Sequence, residues 1–239
     1  MYDYLIVGAG IFGSTVAHEL KKNGKKVLIL EARSHIGGNC YTENIDGINV
    51  HLFGPHIFHT NSKKIWDYIN QFAKFNNYIH RGKVSFKGKV YSFPINLLTL
   101  HQLWGVITPR EAQIKLEEVK KTGDDSLEGF IVSNLGEEIY RTFFHGYTKK
   151  QWLRDPKNLP SWIVKRLPIR MNYDDRYFFD DYQGIPIGGY TQIFEKMLDG
   201  IEVKLNTPFQ KEDTKLANKV IYTGRIDEYY DYCFGPLEY

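Results

Sequence analysis

The residues Tyr2 to Asn39, YDYLIVGAGIFGSTVAHELKKNGKKVLILEARSHIGGN, constrain the fold of this chain more than any other stretch. Tyr4 to Val7 is a short apolar run of strand type, and Gly8, Gly10 and Gly13 follow it in the spacing G-x-G-x-x-G. An amphipathic segment carrying Val16, Ala17 and Leu20 closes at Gly24, and a second apolar run, Val27 to Leu30, ends in Glu31. Together these form one βαβ unit.

Each glycine has a physical task in such a unit. Gly8 permits the tight strand-to-helix turn, Gly10 lets a pyrophosphate approach the backbone because no Cβ intervenes, and Gly13 lets the helix lie close to the sheet. The helix N-terminus, with its unpaired N–H groups and dipole, then faces the phosphates. Glu31 lies eighteen residues after Gly13, where a carboxylate accepts both hydroxyls of an adenosine ribose and repels a 2′-phosphate, which disfavours NADP. A lone G-x-G-x-x-G is also found in glycine-rich turns of other α/β proteins. Here strand, helix, second strand and acidic terminus are in register, so dinucleotide binding is the expectation. Gly37-Gly38 adds a second close backbone approach, and Arg33 a fixed positive charge. The run E-x-R-x-x-x-G-G resembles the FAD-binding flavoproteins more than the NAD dehydrogenases, which makes FAD the expected cofactor.

Composition excludes several partners. A net charge of +3 gives no basic field, so a nucleic-acid partner has no electrostatic support and an anionic ligand must be held locally. Uninterrupted apolar runs fall far short of the ~20 residues a membrane helix needs. The first strand begins at once, which leaves no room for a signal peptide, and the expected location is cytoplasmic. Cys40 and Cys233 have neither metal nor redox spacing and read as small hydrophobes.

Beyond the βαβ unit, Tyr41 to Val50 alternates about Asp46-Gly47, and Lys83 to Phe93 alternates about Lys87-Gly88-Lys89. Both read as hairpins, the second ended by Pro94. Between them, His51 to Thr60 (HLFGPHIFHT) is too rich in Gly, Pro and His for a plain strand and reads as a loop at the edge of the nucleotide site. Ser62 to Phe75 repeats Ile65, Ile69, Phe72 and Phe75, a helix with one buried face. Leu97 to Gly146 is helical in pattern, with a capping signature at Thr108-Pro109-Arg110-Glu111 and Gly123 placed to close that helix. Glu137 to Trp152 is a further helical stretch, and Leu153 to Asp175, without periodicity, reads as a mobile loop. Tyr177 to Ile187 is strand-like, Gly188-Gly189 leads into a helix ending near Asp199, and Ile201 to Leu205 and Val220 to Tyr222 are strands rejoining the opening sheet. The expected fold is α/β. A Rossmann-type FAD-binding domain (1–60 and 188–239) carries a helical insertion (61–175) and an antiparallel sheet element (176–187) at the substrate cleft.

Most of the 17 Tyr, 15 Phe and 4 Trp must build core. Tyr147, Trp152, Tyr173, Tyr177 and Tyr182 lie among charges and glycines, where a ring can stack on a uracil or a sugar face. His56 and His59 form an H-x-x-H pair, but no carboxylate or cysteine cluster completes a site, so no metal is expected. No G-x-S-x-G elbow marks a protein nucleophile, which leaves the chemistry to the cofactor.

With the glycine fingerprint, the segments GPHIFHT, GYTKKQW, KRLP and YQGIPIGGYTQ make the whole chain resemble the bacterial UDP-galactopyranose mutases. The resemblance implies an isomerase that interconverts UDP-galactopyranose and UDP-galactofuranose, the precursor of galactofuranose in surface glycans, with no net redox change. It implies reduced flavin as nucleophile: N5 attacks the anomeric carbon, UDP leaves, an iminium adduct opens the sugar ring, and the ring recloses before UDP returns. The cofactor contacts expected on this basis are Gly8, Gly10, Phe12, Gly13, Glu31, Arg33, Gly37, Gly38, Asn39 and His56, the last beside the flavin ring. Phe143, Tyr147, Thr148 and Trp152 are implied to line the uridine and sugar site, with Asn76, His80 and Tyr177 close by. Arg166 is implied to approach the diphosphate from a mobile loop, and a bidentate guanidinium suits phosphate oxygens. Members of the family are commonly homodimers.

The family pattern continues past Tyr239, into segments expected to supply further diphosphate-binding arginines, active-site tyrosines and a last glycine-rich flavin contact. Activity of residues 1–239 alone is therefore an open expectation. Two other readings stand beside the mutase. One is a flavin oxidoreductase of the amine-oxidase type, which shares the fingerprint but not GYTKKQW or the GPHIFHT loop. The other is an inactive nucleotide-binding fragment.

Overall fold

A computed structural model describes residues 1–165 and 169–237. The chain divides into two compact units, one formed by Met1–Tyr78 with Asp180–Tyr239 and one by Ile79–Phe179. Residues 61–78, expected in the insertion, pack with the first unit. The first unit opens with β1 (Tyr2–Val7), α1 (Ile11–Lys22), β2 (Val27–Leu30), β3 (Thr42–Ile45), β4 (Ile48–His51), β5 (Phe58–Thr60) and α2 (Lys63–Ile69). The second unit contains β6 (Gly82–Phe86), β7 (Lys89–Phe93), α3 (Leu97–Trp104), α4 (Pro109–Val119), α5 (Leu127–Leu135), α6 (Glu137–Ile139), α7 (Gly146–Trp152) and α8 (Trp162–Lys165). The chain then returns to the first unit through β8 (Tyr182–Gly184), α9 (Thr191–Met197), β9 (Glu202–Lys204), β10 (Ala217–Tyr222) and α10 (Ile226–Tyr229).

In the first unit a parallel sheet has the order β10-β1-β2-β9, so the last two strands do rejoin the opening βαβ unit. Val7 pairs with both Leu30 and Tyr222, and Leu30 with Lys204, which brings the carboxyl ends of the strands to one edge. Leu5 to Val7 of β1 and all of β2 are apolar because both faces of the sheet are covered there. Ile6 and Ile29 pack with Ala17 of α1 and Leu198, while Leu5, Leu28 and Leu30 pack with Ala217 and Phe209. β3 and β4 form the expected hairpin.

Phe58–Thr60, inside the stretch expected as a loop, pairs antiparallel with Tyr182–Gly184, which is the only part of Tyr177 to Ile187 that is strand. This pairing links segments far apart in sequence, so local composition carried no trace of it. The helix expected to reach Phe75 stops at Ile69, where Asn70 Nδ2 donates to the Trp66 carbonyl at 2.8 Å. Phe72 is buried all the same, packed with Ile193 and Phe194.

In the second unit β6 and β7 form a hairpin whose turn residues Lys87 (φ 48°) and Gly88 (φ 76°) both take left-handed backbone, as a tight two-residue turn requires. The capping box is present. Thr108 Oγ1 accepts from Glu111 N at 3.2 Å, Glu111 Oε2 accepts from Thr108 N at 3.1 Å, and the amides of Ile107 and Thr108 hold the Glu111 carboxyl below the usual carboxylate range. Gly123 does not close α4, which ends at Val119 with Lys120 as its C-cap. Its glycine serves a backbone crossing instead, since a Cβ there would lie 2.0 Å from the Gly129 carbonyl oxygen. Between α6 and α7, Tyr140–His145 is a π-helix. The stretch expected as a mobile loop is pinned in its described parts: Leu127 N donates to Leu159 O at 2.7 Å, Arg170 N to Ile95 O at 3.0 Å and Leu97 N to Asn172 O at 2.9 Å. Among the described residues no helix is long and apolar enough to cross a membrane.

Candidate functional site

At the carboxyl edge of the parallel sheet, β1 passes into α1 through Gly8, which has a φ of +102°. Gly8 N donates to Leu30 O at 2.8 Å, tying the turn to β2. A Cβ on Gly13 would lie 2.0 Å from the Gly8 carbonyl oxygen and 3.2 Å from Ile6 Cγ2, so helix and turn meet backbone to backbone. Gly10 is the N-cap of α1, whose first turn has neither a side-chain cap nor an acidic residue. A Cβ on Gly10 would meet only Gly38 Cα, at 4.0 Å, which leaves open room at the helix N-terminus. Gly37 N donates to Ala9 O at 2.8 Å and brings the second glycine pair against the first. Phe12, in the first turn of α1, is exposed.

Glu31, 6% exposed, lies at the end of β2. Its Oε2 accepts from Ala9 N at 2.7 Å and its Oε1 from Arg33 N at 2.8 Å. Each carboxylate oxygen accepts more than one hydrogen bond, so these two leave acceptor capacity for ligand hydroxyls. Arg33 Nη2 donates to Asn39 Oδ1 at 3.0 Å, and its guanidinium lies 4.5 Å from the Phe53 ring centre. His56 Nδ1 donates to Gly54 O at 2.8 Å, and its amide donates to His51 Nδ1 at 3.2 Å. Burial, aided by His56, lowers the pKa of His51, which matches a ring nitrogen acting as acceptor. His59 is paired with Asp180, a partner that spacing did not disclose. Asn76, in this same unit, has its Oδ1 engaged by the amides of Ile185 (2.9 Å) and Tyr78 (3.1 Å). Tyr182 stacks on Trp66 at 5.7 Å between ring centres.

The remaining expected substrate residues belong to the second unit. His80 O accepts from Tyr177 N at 2.8 Å, and their rings lie 5.2 Å apart. On α7, Tyr147 is 70% exposed, Trp152 is also exposed, and Thr148 is 5% exposed. Phe143, implied to line the uridine site, packs against the aromatic core of this unit. It is 5% exposed, stacked on Phe93 at 6.2 Å and edge-on to Tyr91 at 5.6 Å, because the π-helix turns it into the core. Tyr173 donates from its hydroxyl to Ile107 O at 3.1 Å. Arg166 lies outside the described residues.

The sequence did not single out Arg170. It is 5% exposed, its guanidinium lies 3.8 Å from the Phe179 ring centre, and Nη1 donates to the carbonyls of Asp174 and Arg176. Burial lowers its pKa. The nearby Asp174 carboxylate is bidentate to Arg176 at 2.9 and 2.8 Å, which holds its pKa at about 2. Among the described residues no group of three or more His, Cys, Asp or Glu is arranged to hold a metal.

A glycine cradle at the carboxyl edge of a parallel sheet, set on a helix N-terminus and followed by a buried carboxylate, defines a Rossmann-type dinucleotide-binding protein. The sequence model of the NAD(P)-binding Rossmann-like domain matches residues 6–72, and that of UDP-galactopyranose mutase matches residues 142–239. Over its full length the chain is 42% identical to a dTDP-fucopyranose mutase of Escherichia coli, of which it spans 67%. Over 99% of its length it is 40% identical to a probable UDP-galactopyranose mutase of Klebsiella pneumoniae, of which it spans 64%. A crystal structure of reduced UDP-galactopyranose mutase superposes with a TM-score of 0.64 at 18% identity, covering 88% of this chain and 50% of that one, and so shares the fold. This chain belongs to the UDP-galactopyranose mutase family.

Proposed function

We propose that the chain acts as a flavin-dependent mutase, with FAD as cofactor, that interconverts the pyranose and furanose forms of a sugar carried on a nucleoside diphosphate. The observation that carries this reading is identity along the whole chain to named mutases, which also disfavours the amine-oxidase alternative. The cofactor reading is supported by the cradle. Gly8, Gly10, Gly13, Gly37 and Gly38 leave backbone and helix amides for a pyrophosphate, Glu31 offers its carboxylate to the ribose, and Arg33 with Asn39 stands beyond it. Phe12 and His56 are assigned to the flavin end. When bound and reduced, the flavin would supply the nucleophile for the anomeric carbon, so that no oxidant is consumed overall.

For the substrate, the exposed rings of Tyr147 and Trp152 suit stacking on base and sugar, with His80 and Tyr177 of the same unit as further contacts and Arg166 as the diphosphate ligand. Phe143 supports this group from the core. UDP-galactopyranose is the finer substrate reading, its furanose product a precursor of cell-surface glycans. A second reading, dTDP-fucopyranose, is favoured by the 42% identical relative. A cytoplasmic homodimer belongs to the same proposal.

The test begins with absorbance of the purified chain before and after adding FAD. Flavin bands near equal stoichiometry support the cofactor assignment, and a colourless chain that takes up no FAD overturns it. The dithionite-reduced chain is then given UDP-galactofuranose or dTDP-fucofuranose. Conversion to the pyranose without use of an acceptor supports the mutase and selects the nucleotide sugar. Stoichiometric consumption of an acceptor would favour an oxidoreductase.

A further inference from the structure

The phosphate turn has a support that the glycine fingerprint does not contain. β10 runs beside β1 with Tyr222 level with Val7, so Thr223 falls beside Gly8. Thr223 N donates to the Val7 carbonyl at 3.2 Å, and Thr223 Oγ1 donates to the same oxygen at 2.6 Å. That hydroxyl fills the place a side chain on Gly8 would need, since a Cβ there would lie 2.3 Å from Oγ1. The next residue is held equally closely, for a Cβ on Gly224 would lie 2.6 Å from the Tyr222 hydroxyl. The Val7–Gly8 peptide is thus gripped from both neighbouring strands, its carbonyl by Thr223 of one and its amide by Leu30 O of the other.

We infer that Thr223 is a positioning residue for the cofactor's pyrophosphate: its hydroxyl fixes the Val7–Gly8 peptide so that the turn into α1 already holds its binding conformation in the free chain. The inference rests on the dinucleotide reading given above. A turn set before binding reduces the ordering cost of taking up the ligand. The hydroxyl is specifically required. Valine has the same shape, but a methyl group cannot approach a carbonyl oxygen at 2.6 Å, because carbon–oxygen contacts begin near ~3.3 Å. Alanine removes the donor and leaves the space, and serine keeps the donor.

The test uses the full chain and its Thr223→Val, Thr223→Ala and Thr223→Ser variants. Amide exchange with deuterium across Val7 to Gly13, without cofactor, reports the turn, and quenching of flavin fluorescence reports FAD affinity. Loss of one hydrogen bond is expected to weaken FAD binding roughly three- to tenfold in the alanine variant. Exchange at the turn should accelerate by a similar factor, valine should be at least as impaired as alanine, and serine should stay close to the parent. Unchanged exchange in the alanine variant, or serine behaving like alanine, would overturn the inference. So would exchange accelerated evenly along β1 and β10, since Thr223 would then hold the sheet and not the turn. A parent chain that binds no FAD would sink the cofactor reading, while the exchange arm would still decide whether Thr223 fixes the turn.

Discussion

The phosphate turn of the first unit and the π-helical segment of the second present their candidate residues in opposite ways. In the turn, Gly8, Gly10 and Gly13 act by lacking side chains, and the surfaces on offer are backbone amides set by contacts as close as a Cβ-to-carbonyl distance of 2.0 Å would imply. In Tyr140–Trp152 the candidates are side chains, and their use depends on which way each one faces: Phe143 and Thr148 inward, Tyr147 and Trp152 outward. At Gly8 and Gly13 the backbone site has no space for an added atom, and at Gly10 the space is left open. A side-chain site on a helix divides its residues into those that hold the helix and those left for a ligand.

The sharpest way to break this comparison is Phe143→Ala. If Phe143 is core, the variant should lose about 3–5 kcal/mol of stability in urea or guanidinium unfolding. A loss under about 1 kcal/mol would return Phe143 to the substrate surface. Next comes Gly13→Ala, whose new methyl must push aside the Gly8 carbonyl and should cost about 1–3 kcal/mol along with FAD binding. Gly10→Ala, with only a 4.0 Å contact to meet, should fold nearly as well as the parent and yet bind FAD poorly. Equal stability for the two glycine variants would mean that the turn yields.

A smaller effect is expected at Asp174, whose pKa of about 2 is depressed chiefly by its hydrogen bond from Arg176. A carboxyl depressed in the folded state contributes stability above its unfolded pKa near 3.8, and that contribution fades as the pH falls through about 2. The Asp174→Asn variant should therefore be about 1–2 kcal/mol less stable at pH 7 for this partly solvated pair, with the gap closing between pH 4 and pH 2. A gap independent of pH would assign the loss to something other than charge. The smallest stability change is expected for Tyr147→Ala, within about 0.5 kcal/mol because the ring is exposed, while KM for the nucleotide sugar rises. Unchanged KM would remove Tyr147 from the proposed site.

What the sequence disclosed was what is local. The G-x-G-x-x-G turn, the hairpin at Lys87-Gly88 and the capping box at Thr108 each arise from residues within a few positions of one another, and each is present. What stayed hidden depends on distant partners. Phe58–Thr60 becomes a strand only because Tyr182–Gly184 lies beside it, and Gly123 is a glycine because Gly129 crosses it. Thr223 gained meaning only once β10 was placed against β1. Arg170 and the orientation of Phe143 were hidden for the same reason, since neither burial nor a π-turn leaves a periodicity to count.

The π-helix has one more consequence. Each residue of an α-helix advances the direction of its side chain by roughly 100°, so a widened turn at Tyr140–His145 resets the angular phase of everything downstream in α7. It works like a frameshift in three dimensions. A one-residue insertion between Glu137 and His145 would leave the letters GYTKKQW untouched and still rotate Thr148 out of the core. A one-residue deletion there closes the widened turn to an α-helical one and keeps Thr148 facing inward. In this stretch, conservative replacement of a residue should therefore be tolerated better than the insertion of one.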